Sequence, residues 1–311
     1  MRMDNAIAAS SGAASPGAFS DLAGAMRDEL RRHCYRMMGG VQDAEDCVQE
    51  ALLRGWREFV TLRDGTAARP WLFSIATRVC LDALRTRKRR QTLFGPSLDE
   101  IEPGTEPWVE PWPGDAERGQ DIRLAFVSLL HGLSPRARAV FLLHDGVGMT
   151  AAEAAAALGI SVAAARSALQ RARGALADKK VVMPQEAGAA KDMPVEAYLD
   201  AWNAGDLGTL IGLLHRDIVL TMPPWRRTFI GRDAVERFLT SVWPRYDGFR
   251  ALATIANGQP AAALYSRRGD GAYLPHSLHI LAGSGQVSQL ILYAPPLGAS
   301  LFPAFGLPPA A

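Results

Sequence analysis

The sequence predicts a multidomain chain: two all-helical domains, the second a helix–turn–helix, followed by an α+β cone. Three observations carry this. An acidic amphipathic helix stands a loop away from an aromatic helix that ends in five cations within six residues, Arg85–Arg90. A capped, alanine-rich helical pair follows at Thr150–Leu176. Beyond Asp217 the apolar period shortens from helical spacing toward alternation, the mark of strands.

Residues 1–19 are rich in Ala, Ser and Gly and are expected to be disordered. In the first helical domain, 20–90, Asp43 is read as an N-cap, with carboxylates in the first turns where the helix dipole favours them. Val48, Ala51, Leu52, Trp56 and Phe59 keep helical spacing and are expected to form the buried face. Asp43, Glu45, Asp46, Gln49 and Glu50 then form an acidic face suited to a basic protein partner. A second helix from Arg69 buries Trp71, Leu72, Ile75, Val79 and Leu84 and ends in its basic run. Five cations exceed what dipole complementation needs and suit phosphate contacts.

Residues 91–119 are rich in proline and acid, GPSLDEIEPGTEPWVEPWPGDAE, and read as an extended linker. Trp108 and Trp112 there point to docking on protein. The next domain, 120–180, holds a T-x-x-E capping box (Thr150, Glu153), a turn at Gly159 and a second N-cap at Ser161. Small residues lie where the two helices must approach, and Arg166, Ser167, Gln170, Arg171 and Arg173 give the second helix a DNA-reading character. A short linker, 181–193, leads to 194–311. There, two short helices broken at Asn203–Gly205 precede five strand-like runs and a helix at Gly231–Trp243, read as a curled antiparallel sheet. His215, Asp217, Trp225, Tyr265, His276, His279 and Tyr293 are candidate pocket or interface residues, with His215, Asp217, Trp225, His279 and Tyr293 as the pocket set. The H-x-D pair is read chiefly as a local cap. The tail GASLFPAFGLPP reads as an exposed apolar strap for the helical domains.

Composition bounds the partners. The net charge of +2 hides basic helical domains and an acidic Asp99–Glu117. Cys34, Cys47 and Cys80 have no C-x-x-C spacing and read as core thiols of a reducing cytoplasm. No metal site, cofactor, catalytic group or membrane span is expected.

The segments CYRMMGGVQDAEDCVQEALLRGW and PWLFSIATRVCLDALR resemble region two of the extracytoplasmic-function (ECF) group of sigma-70 factors. LSPRARAVFLLH and the helix–turn–helix resemble region four. AWNAGD, H-x-D and GRDAVERFL resemble the SnoaL-like fold. The resemblance implies a cytoplasmic sigma factor that partners core RNA polymerase, through its beta-prime and beta subunits, and promoter DNA. It implies that Asp43–Glu50 bind core. The −10 element would fall to Arg69, Trp71, Arg78, Arg85, Arg87, Lys88, Arg89 and Arg90 with the loop Leu62–Pro70. The −35 element would fall to Ser161, Arg166, Ser167, Gln170, Arg171 and Arg173. The cone is expected to act in cis through contact with the sigma domains. The alternative is a sigma-like DNA-binding protein fused to a small-ligand-binding or catalytic cone; a plain repressor leaves the acidic face without a partner.

Overall fold

The computed structural model describes residues 16–59, 68–94, 109–114, 123–178, 193–223, 225, 227–269 and 271–311. Most of the expected disordered start, the loop before Pro70, the linker stretches with Trp108, and the linker after 178 lie outside the described residues. The chain forms two compact units, 1–95 with 133–178 and 96–132 with 179–311.

In the first unit, α1 (Pro16–Met38), α2 (Val41–Glu58) and α3 (Ala68–Phe94) pack into a three-helix core. Leu30, Tyr35, Val48, Leu72 and Phe73 are buried at its centre. Gly55 lets the helices close in: a Cβ there would stand 3.0 Å from Leu72 and 3.2 Å from Phe19. Two sequence readings are corrected. Gly40, not Asp43, occupies the N-cap of α2, and Asp43 lies in the first turn. Trp56 is not core: it is 55% exposed, because Phe59 takes the apolar corner by packing on Phe19 and Trp71. The basic helix also runs past Arg90 to Phe94, into the stretch expected to be extended.

α5 (Pro135–Phe141) leads through a π-helical turn, Leu142–Gly146, to α6 (Ala151–Leu158) and α7 (Val162–Asp178). Ser134 caps α5, and Thr150 and Glu153 form a full capping box on α6. Gly159 ends α6 at φ 63°, a left-handed conformation that suits glycine. Ser161 Oγ accepts from the Ala164 N–H, capping α7. α5 and α6 pack on α3, and the Arg69 guanidinium donates to Val147 O at 2.9 Å. α5, α6 and α7 therefore form one body with α1–α3.

The second unit contains α4 (Leu124–His131), α8 (Val195–Ala204), α9 (Leu207–Gly212), α10 (Arg232–Val242) and a six-stranded sheet. The strands are β1 (Leu214–Met222), β2 (Arg227–Ile230), β3 (Gly248–Ala256), β4 (Gln259–Arg267), β5 (Leu274–Ser284) and β6 (Gln286–Tyr293). Their order is β2-β1-β6-β5-β4-β3. β1 pairs parallel with β6, so the sheet is mixed rather than wholly antiparallel; β2, four residues long, was not foreseen. Helix α8 lies on β3, and Tyr198 and Trp202 sit in the core beside Leu220, Leu264 and Leu281.

Two segments wrap this sheet. The linker residue Trp112 exchanges hydrogen bonds with Asn257 at the β3–β4 turn, at 2.9 and 2.8 Å. Tyr293 Oη donates to Val109 O at 2.6 Å, and Val109 is buried. The C-terminal tail, with α11 (Leu297–Ser300), packs on β5 and β6. Leu301 and Phe302 are buried, Phe302 edge-on to Tyr265, whose hydroxyl donates to Pro308 O. The tail is thus part of the cone's own core, not an exposed strap. Gly298 permits this approach, since a Cβ there would meet Tyr293 O at 1.9 Å.

Candidate functional site

On α2 the predicted acidic residues divide. Glu45 is tied to α1 by Arg27 and by Arg31 at 2.8 Å. Glu50 pairs with Arg54 at 2.7 Å, and Asp43 with Arg87 at 3.4 Å. Asp46 takes only a neutral bond from Gln42, and Gln49 is exposed with no partner among the described residues. Leu53 and Trp56, at 53% and 55% exposure, continue this face at helical spacing. The result is an open stripe, Asp46–Gln49–Leu53–Trp56, with apolar bulk that water solvates poorly. Sequence reasoning missed its apolar half by assigning Trp56 to the core.

On α3, Arg78 and Arg89 are exposed without a partner among the described residues, and Trp71 is partly buried against Phe59. Arg85 pairs with Asp82, Arg87 with Asp43, and Lys88 is also engaged. The Arg90 side chain lies outside the described residues. Arg69 is a clamp, holding Glu29 at 3.0 Å, Val147 O, and the Phe73 ring face at 5.0 Å. On α7, Arg166 and Gln170 point into solvent unpartnered among the described residues. Arg171 donates to Ser167 Oγ, Ser161 serves as the cap, and Arg173 pairs with Asp145 at 2.7 Å.

The core beneath is electrically quiet. Burial holds His33 down to about 3, and its Nε2 lies 2.8 Å from Thr77 Oγ1. The Thr77 hydroxyl already donates to Phe73 O, so His33 Nε2 carries the proton. Cys34, Cys47 and Cys80 are buried and free; hydrogen bonding to Cys34 together with burial pushes the Cys80 thiol up. Protonated buried thiols make poor nucleophiles and poor ligands. Arg138 is 3% exposed, its Nε and Nη1 have no hydrogen-bond partner among the described residues, and desolvation lowers it to about 10.

The cone holds an open-mouthed pocket of about 300 Å³. Trp225 and His279 line it, as the sequence suggested. His215, Asp217 and Tyr293 do not. His215 Nδ1 accepts the Asp217 N–H at an exposed strand start, and Tyr293 is turned toward Val109. The lining that sequence reasoning missed is chiefly aromatic, Trp202, Trp243, Tyr246 and Phe249, with Ser277; His276, a candidate by residue type, also lines it. The β4–β5 register shifts so that Leu264 faces Ser277 and Tyr265 faces Pro275. His276 is the extra residue of this bulge, which re-aims it onto the face that Ser277 and His279 share. Strand alternation alone would have sent it away.

Comparison with known proteins places these features. Residues 22–90 match the sigma-70 region 2 family model, 123–176 the sigma-70 region 4 model, and 195–289 the SnoaL-like domain model. The chain is 39% identical over 319 residues to ECF RNA polymerase sigma factor SigG of Mycobacterium tuberculosis, covering 94% of this chain and 84% of that one. It belongs to the ECF RNA polymerase sigma factors. A second ECF sigma factor of that organism, SigJ, is 34% identical over 280 residues, with 86% and 88% covered. The SigJ crystal structure superposes with a TM-score of 0.62 at 30% identity, covering 89% of this chain and 96% of that one. In this ECF sigma factor, region 2 thus spans α1–α3, the helix–turn–helix belongs to region 4, and the SnoaL-like domain is a mixed-sheet α+β cone.

Proposed function

We propose that this sigma factor binds core RNA polymerase through the α2 stripe Asp46–Gln49–Leu53–Trp56. The observation that carries this is the exposure of Leu53 and Trp56 beside an unpaired carboxylate. A large aromatic left in water at the end of a stripe that is polar at its other end fits a protein interface, where such residues dominate binding energy. The clamp subunits, beta-prime and beta, are the partners the family implies. Arg78, Arg89 and the basic end of α3 then hold the −10 strand. Arg166 and Gln170 read the −35 element, with Arg171 and Ser167 beside them. The role is binding rather than catalysis: the His215/Asp217 pair lies outside the pocket, and burial keeps the pocket histidines neutral. The site of action is the cytoplasm, with the polymerase.

The described conformation favours a closed state. The −35 and −10 elements lie roughly 80 Å apart at 3.4 Å per base pair. α3 itself is about 40 Å long at 1.5 Å per residue, and α5 and α6 rest on it. Promoter binding therefore requires region 4 to leave region 2. The chain between them runs through the cone's unit, where Tyr293 and Asn257 hold the linker and Gln259 Oε1 accepts the Leu124 N–H at 3.3 Å. By gripping that connection the cone controls opening in cis. The test is co-purification with core polymerase. Trp56→Ala and Asp46→Lys should each retain the helical fold and lose core binding; retention of core by both variants would overturn the assignment.

A further inference from the structure

The cone's cavity carries a chain of four polar side chains that ends in an unused group. Tyr198 Oη lies 2.8 Å from His279 Nδ1; His279 Nε2 lies 2.9 Å from Ser277 Oγ; Ser277 Oγ lies 2.9 Å from His276 Nδ1. His276 Nε2 is buried and has no hydrogen-bond partner among the described residues. Proton bookkeeping fixes the direction. Tyr198 is buried, and among the described residues its hydroxyl has His279 Nδ1 as its hydrogen-bond partner; a buried phenol O–H needs an acceptor, so the phenol donates. His279 must then donate from Nε2 to Ser277, and Ser277 must donate to His276 Nδ1. This leaves His276 with its proton on Nε2. Burial, which lowers His279 to about 3 and His276 to about 4, supports the neutral tautomers this requires.

We infer that the cone pocket binds a planar aromatic molecule that presents a carbonyl-type acceptor oxygen to the His276 Nε2–H. The acceptor requirement follows from the direction of the chain: a ligand N–H or O–H would meet another donor there. Planarity follows from the walls. Trp202 and Trp243 stack with centroids 4.6 Å apart, and Phe249 stands edge-on to Trp202 at 4.9 Å. Such walls favour a flat π-face over a branched aliphatic one. A cavity of about 300 Å³ suits a ligand of two or three fused rings. Among the described residues Arg227 is the one formally charged residue that lines it, so a cationic ligand is disfavoured. The proposal does not depend on the polymerase and DNA faces assigned above.

The test uses the full chain and a pair of fluorescent naphthalenes. 2-Acetyl-6-(dimethylamino)naphthalene carries the acceptor carbonyl; its 2-ethyl analogue has nearly the same shape without it. The ketone should bind saturably at one site, at least about tenfold tighter than the hydrocarbon, as expected for a buried donor that one ligand satisfies and the other strands. His276→Phe should abolish the difference by weakening the ketone alone, and Val242→Trp, which fills the cavity, should remove both. Equal affinity of the two probes for the unmodified chain would overturn the inference without any mutant. So would saturable binding that survives Val242→Trp, or no saturable binding of the ketone.

Discussion

At the scale of single residues, three desolvated histidines make stability depend on pH in a window that opens above that of the carboxylates. His33 and His279 are held near 3 and His276 near 4, each chiefly by desolvation. Unfolded histidine titrates near ~6.5, so between that value and the folded ones the unfolded chain binds more protons. Their contribution is complete above pH ~6.5 and is lost progressively as pH falls toward the folded values. For His279 alone the loss at pH 5 reaches up to about 2 kcal/mol. Urea midpoints at pH 7.5 and 5 should differ accordingly, and His279→Gln should flatten the slope; a midpoint constant across that interval would contradict the neutral assignment. Trp56 is the opposite case. Being exposed, its replacement by alanine should shift the midpoint by less than about 0.5 kcal/mol, which separates a binding role from a structural one.

At the scale of elements, α5 carries a buried charge whose desolvation opposes its packing on α3. Arg138 is buried beside α3 with two guanidinium nitrogens unpaired among the described residues. Replacing a poorly paired buried charge with an apolar residue of similar volume commonly stabilises by about 1–4 kcal/mol. Arg138→Met should therefore raise the thermal midpoint and lower transcription by favouring the closed body; a lower midpoint would show that the guanidinium stabilises the fold. The C-terminal tail behaves as core. Phe302→Ser should destabilise the cone by about 3–5 kcal/mol, seen as an early thermal transition, whereas a surface strap would melt unchanged. These two elements also show what the sequence made legible. The capping box, Gly159 and the Ser161 cap announced the helix–turn–helix because their chemistry is local. The tail's apolar residues gave the right composition but not its address, since burial on β5 and β6 is decided by long-range packing. Trp56 fitted the helical period, yet Phe59 took the corner. His276 was a candidate by residue type, but the bulge that turns it into the pocket is one that no alternation rule anticipates.

At the scale of the whole molecule, the chain leaves the helical body after α3, passes through the cone's unit and returns at α5. This routing makes the linker the natural point of control. Weakening its hold with Asn257→Ala, which removes the side-chain bond to Trp112 and leaves the DNA-facing residues untouched, should alter promoter output while DNA contacts stay intact. Unchanged output in a correctly folded variant would make the cone a bystander in initiation. The central claim, that this chain directs core polymerase through the α2 stripe, is tested most directly by run-off sequencing. Core polymerase and genomic DNA are incubated with the unmodified chain or with Trp56→Ala. The account predicts discrete new start sites with the unmodified chain, and their loss with Trp56→Ala although the variant folds. Start sites that are absent with the unmodified chain, or that persist unchanged with Trp56→Ala, would contradict it.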